Sequence, residues 1–122
     1  MSDSSAERAL DGGFVSEVVA APGERINDVA HVCWQFVGLG PGVRDAREAA
    51  SLVRVVADAY GLADRSALID TVLWWQDRCR SGIETAAAAG EPAMVRLRDA
   101  GVADAVRAAY EWTREHRDLL AP

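Results

Sequence analysis

Asp70, Asp77 and Glu84 recur every seven residues, and Trp74 stands between the first two, four after Asp70 and three before Asp77. On a helix this spacing gathers the carboxylates and the indole near one face, because residues three or four apart are surface neighbours. Carboxylates beside an indole suit a cationic ligand, which the acids attract by charge and the ring by cation–π contact. Asp70, Trp74, Asp77 and Glu84 are therefore the candidate ligand-binding residues, with a cationic small molecule as the candidate ligand. The competing reading is a solvated face whose acids pair with Arg78 and Arg80, a usual arrangement on amphipathic helices.

Trp74 and Trp75 are adjacent, so on a helix their side chains diverge by about 100° and one faces the core while the other reaches the rim. A half-exposed Trp is a good anchor for a partner. Trp34, Trp75 and Trp112 are the candidate partner surface, with Phe36 as a further apolar candidate. It would serve toward another protein or in a homodimer that buries the tryptophans.

Other residue types offer less chemistry. His31 and Cys33 point apart on a helix, and Asp28 with His31 supplies two ligands where zinc takes three or four, so no metal site is expected. Cys33 and Cys79 both fall on expected apolar faces, which predicts two inert, buried thiols. All thirteen Lys+Arg residues are arginine, which removes Schiff-base chemistry and any phosphate-binding lysine. Gly38-Leu-Gly-Pro-Gly42 lacks the Gly-Lys-Ser/Thr ending of a phosphate loop and reads as a turn. No serine lies in a nucleophile elbow. We find no catalytic motif and expect no cofactor.

The formal net charge is −6 and the pI is near 4.8, which argues against nucleic acid, since phosphate binding needs clustered cations. No apolar run approaches the roughly 20 residues that cross a bilayer, so no membrane partner is expected. Met1-Ser-Asp-Ser-Ser-Ala-Glu7 is not a secretory leader, and a cytoplasmic location with reduced cysteines is the expectation.

The elements that must position these residues are helical. The 122 residues suffice for one domain. Residues 1–13 read as a flexible segment and residues 14–122 as an all-α domain of about five helices, with Phe14-Val-Ser-Glu-Val-Val19 as a candidate short strand. The first helix is expected from Ile26 or Asn27 to Val37, capped by Asn27 or Asp28. Its apolar face is Ile26, Val29, Ala30, Cys33 and Val37. Asp45 opens the second helix, which presents Ala49, Leu52, Val53, Val56 and Tyr60 and stops at Gly61. The third begins at Asp64 or Ser66, buries Leu68, Ile69, Val72, Trp75, Cys79 and Ile83, and closes at Gly90. Glu91-Pro92 starts a short fourth helix. After Gly101 the last runs from Val102 to about Leu120, with Val102, Val106, Ala109, Tyr110, Thr113 and Leu120 on one side. His116, near its end, complements the helix dipole.

Several stretches in this order resemble the C-terminal helical subdomain of aminoglycoside phosphotransferase-like kinases. They are Pro22-Gly-Glu-Arg-Ile-Asn-Asp28-Val-Ala with Trp34 following, Tyr60-Gly-Leu-Ala-Asp-Arg65, the Glu84-Thr-Ala-Ala-Ala-Ala-Gly90-Glu-Pro turn, and Tyr110-Glu-Trp112 with His116-Arg117. The likeness spans residues 14–120 and implies the fold of that subdomain. In the family, acidic side chains there line the pocket for the cationic substrate. The family's chemistry is not implied, because the Gly-rich nucleotide loop, the lysine and the His-Gly-Asp-Xaa4-Asn catalytic loop are missing, and Ser16 and Glu17 stand where a metal-binding aspartate would end a strand. The resemblance thus implies a non-catalytic domain truncated before the catalytic motifs, inactive as a phosphotransferase alone. The alternatives are one part of a split phosphotransferase completed by another chain, and a helical interaction protein unrelated to kinases.

Overall fold

Pro22, whose fixed φ suits a first helical turn, opens helix α1 (Pro22–Val32). It lies in a computed structural model that describes residues 8–9, 11–12 and 22–122, with side chains from residue 25 onward. The helix therefore starts before the expected Ile26 or Asn27, and neither Asn27 nor Asp28 caps it. Upstream, β1 (Arg8–Ala9) and β2 (Asp11–Gly12) pair antiparallel, too short to form a layer. The strand expected over residues 14–19 lies outside the described residues.

α1 continues without a break into a π-helical segment, Cys33–Gly38. The wider turn, an irregularity that elsewhere often marks functional sites, leaves Cys33 fully buried and turns Phe36 outward at 72% exposure. Leu39 then returns to the core. Gly40 follows against a later helix: a Cβ there would stand 3.3 Å from Ala109 Cβ, so glycine permits the close approach.

Asp45 caps α2 (Ala46–Ala59), its carboxylate accepting from the Arg47 and Glu48 amides, as expected of an N-cap aspartate. α2 buries Ala49, Ala50, Val53, Val56 and Ala57. Tyr60, expected on that face, is exposed beyond the helix end, where Gly61 takes the left-handed conformation at φ 64°.

The central element is α3 (Leu68–Ala88), preceded by a turn in which Asp64 accepts from the Ser66 amide and hydroxyl. Its buried stripe is Leu68, Ile69, Val72, Leu73, Gln76, Ile83 and Ala87, which corrects the expected face. Gln76 lies inside, Trp75 is half-buried, and Cys79 is exposed. The stripe follows helical geometry through a polar residue, whereas a reading by hydrophobicity slides it to the neighbouring apolar Trp75 and Cys79.

Glu91 caps α4 (Pro92–Asp99), accepting from the Met94 amide, and α5 (Val102–Glu115) follows Gly101. The expected last helix is interrupted: α5 ends at Glu115 with His116 as its C-cap, and a separate turn, α6 (Arg117–Leu120), carries Leu120 into the core. At this junction His116 Nδ1–H donates to Trp112 O at 2.7 Å, beside the backbone bond from His116 N–H to the same carbonyl, and the ring stacks on Trp112 with centroids 4.2 Å apart.

The described chain is thus a single all-α domain of six helices. α3 packs against α5, α4 and α1, and α2 closes the other side against the π segment and α6. The core joins Val29, Cys33 and Leu39 with Val53 and Ala57 of α2, Leu68 and Val72 of α3, and Leu120. Within this apolar interior Gln76 Nε2 donates to Leu39 O at 3.4 Å and to Thr113 Oγ1 at 3.3 Å, while its Oε1 has no partner among the described residues.

Candidate functional site

The two adjacent tryptophans of α3 diverge as helical geometry requires, and each has a distinct setting. Trp75 turns toward α1, where its Nε1–H donates to Asn27 Oδ1 at 3.0 Å and its ring meets His31 at a centroid separation of 4.6 Å. Trp74 stands at the rim, 52% exposed. The two indoles meet edge to face, 4.7 Å apart at 89°, an arrangement favoured by the ring quadrupoles.

This aromatic corner walls an open cleft of about 400 Å3 lined by Asn27, Asp70, Thr71, Trp74 and Trp75, within the usual size of small-molecule sites. Trp75 cannot swing without giving up its bond to Asn27, so one wall is fixed before any ligand arrives. Thr71 is likewise committed, its hydroxyl donating to Ala67 O at 2.7 Å.

Of the candidate acids, Asp70 alone lines the cleft. Arg117 of α6 grips it in a two-pronged pair, Nε to Oδ1 at 2.5 Å and Nη2 to Oδ2 at 2.9 Å. These hydrogen bonds hold the Asp70 carboxyl below its ordinary range and push the Arg117 guanidinium up. Asp77 and Glu84 lie farther along α3 in a separate ladder. Arg80 bridges both at 2.7 Å, and Arg107 adds a contact to Glu84 at 3.2 Å. Hydrogen bonding to Asp77 raises the Arg80 guanidinium. Arg78, expected to pair with an acid, lies over the Trp74 ring at 5.0 Å from its centroid.

The structure therefore brings Asp70 and Trp74 together at the cleft and leaves Asp77 and Glu84 outside its lining, all three acids being paired with arginine. Trp34, Trp75 and Trp112, the candidate partner residues, are partly buried and pack against the core. Trp74 is the exposed indole.

Sequence reasoning missed Asn27 and Thr71 as cleft residues and Arg117 as the partner of Asp70. Thr71 could have been found, since it adjoins Asp70 and lies three before Trp74 on the same helix. The others come from distant segments and leave no local signal.

Among the described residues no three His, Cys, Asp or Glu side chains gather as metal ligands, and no helix is long and apolar enough to cross a membrane. No protein-family model, no curated protein and no solved structure matches the chain. Fold and site define an all-helical protein with a preset, aromatic-walled cleft.

Proposed function

We propose that this chain is a non-catalytic helical binding domain that takes a cationic small molecule in the cleft between α1 and α3. What carries the reading is the preset corner: two perpendicular indoles, one fixed by Asn27, beside the carboxylate of Asp70. An organic ammonium that displaces Arg117 from Asp70 and Arg78 from the Trp74 ring gains a negative charge at one end and aromatic faces along its length, with cation–π attraction strengthened by partial desolvation. Preorganised walls reduce the ordering cost of binding. The resemblance in motif order to aminoglycoside phosphotransferase-like kinases suggests the same ligand class, and the domain is proposed as a relative of their C-terminal part without the catalytic loop.

The test is titration of the isotope-labelled chain with spermidine and, separately, kanamycin, following the four tryptophan indole N–H signals by NMR. The expected result is movement of the Trp74 and Trp75 signals ahead of those of Trp34 and Trp112. Trp74→Ala and Asp70→Asn should each weaken binding about tenfold or more, while Asp77→Asn leaves it nearly unchanged. Diffuse attraction to an acidic chain would respond equally to both acids and ignore Trp74, and that pattern would overturn the proposal. Magnesium-ATP should leave all four signals in place.

The exposure of Trp74 favours a second reading, a protein partner anchored on that indole, as half-exposed tryptophans often serve. It predicts that Trp74→Ala abolishes capture of the partner while cation titrations leave the indoles unmoved.

A further inference from the structure

We propose that Arg117 is a built-in competitor for the cleft, an internal cation seated on Asp70 that an incoming ligand must displace. The inference rests on the cationic-ligand reading above. Asp70 is the cleft's acid among the described residues, and both its oxygens are engaged by Arg117. A forked guanidinium–carboxylate pair satisfies the face of the acid that a ligand ammonium would need. Binding is then an exchange of one cation for another.

The fold allows that exchange without unfolding. The backbone at Arg117 is held from both sides, by the His116 stop with its bond to Trp112 O and by Leu120, which is fully buried. The Arg117 side chain itself is 52% exposed, and its long stem can carry the guanidinium into water while α6 stays docked. A pair with this exposure is screened by solvent, so its hold on Asp70 is weak enough for a ligand with aromatic contacts to overcome. The empty state keeps Asp70 neutralised, which favours ligands that add contacts to Trp74 and Trp75 over bare monovalent cations.

The experiment is spermidine binding by calorimetry and indole NMR to the full chain and to Arg117→Gln, Arg117→Lys and Arg96→Gln. The last makes the same charge change on α4, away from the cleft. The expected result is binding about twofold to fivefold tighter in Arg117→Gln, an intermediate gain in Arg117→Lys, which cannot form the fork, and none in Arg96→Gln. Adding Asp70→Asn to Arg117→Gln should erase the gain, a coupling that a double-mutant cycle isolates. The buried Leu120 methyl signals report whether α6 remains docked in each variant. If the wild-type chain binds with Trp74 and Trp75 shifts but Arg117→Gln binds equally or more weakly, the competitor proposal is overturned and the cleft reading stands. Equal tightening in Arg96→Gln also overturns it, as a plain net-charge effect. If neither wild type nor Arg117→Gln moves the two indoles, the cleft reading fails and this inference falls with it.

Discussion

Trp75 Nε1–H donates to Asn27 Oδ1 at 3.0 Å, joining α3 to α1 across 48 residues of sequence. The bond orients the inner indole, and Trp74 packs edge-on against that indole, so Asn27 positions both walls of the cleft through one contact. Asn27→Ala should cost about 1 kcal/mol of stability, the net worth of a partly buried hydrogen bond. It should also shift the Trp75 indole N–H resonance and weaken spermidine binding severalfold. Unaltered affinity in a variant whose Trp75 signal has moved would show that the fixed wall is irrelevant to recognition.

Burial pushes the Cys33 thiol up from 9.0 to about 11. The folded state therefore favours the neutral thiol. Below pH 9 the group is protonated in both states and its contribution to stability is constant; between pH 9 and about 11 the unfolded chain loses a proton that the folded chain keeps. Stability should fall across that window by about 2 kcal/mol more in the wild type than in Cys33→Ala. Urea melts at stepped pH measure the difference, and parallel curves for the two proteins would contradict the burial argument.

The two thiols should react very differently. Cys79 is exposed and Cys33 buried, so a thiol reagent at neutral pH should modify one cysteine promptly and the second only as the domain unfolds. Mass spectrometry of the singly modified species should place the label on Cys79. Rapid labelling of both would mean that α1 opens near the π segment far more readily than its packing implies.

Gln76 spans the core with two long hydrogen bonds from Nε2 and an unpartnered Oε1. Burial without a partner costs stability, and Thr113 keeps its own bond to Ala109 O at 2.8 Å whatever stands opposite. Gln76→Met, of similar shape, removes the unpartnered Oε1 but leaves Leu39 O without its donor, and should cost about 1–2 kcal/mol, whereas Gln76→Ala should lose about 2–4 kcal/mol to the cavity. Thermal melts distinguish the two. A large loss in the Met variant would assign the amide a structural role that its long bonds do not suggest.

Helices α2 to α4 and the start of α5 were legible because they are chemically punctuated: Asp45 and Gly61 around α2, Gly90-Glu91-Pro92 before α4, and Gly101 before α5. The phase of α3 was misread at Gln76, since a pattern reading assigns a polar residue to the outside while tertiary packing encloses it. The break at His116 was equally hidden, because it falls within an otherwise continuous helical pattern with no glycine or proline to mark it. Of the site, Asp70 and Trp74 followed from their separation on one helix. Asn27 and Arg117 did not, as their pairings cross 48 and 47 residues and exist only once helices are docked.

α4 lies between Gly90 and Gly101, contains no fully buried residue, and among the described residues packs mainly on α3 and α5. In the language of hydrogen exchange we expect it to behave as a separate foldon. Its amides should trade with solvent through a local opening that leaves the rest of the bundle intact, while those of α3 wait for global unfolding. The cleft draws its walls from α1 and α3 and the ionic partner of Asp70 from α6, with no lining residue from α4. The proposed ligand site would thereby keep its lining while α4 opens.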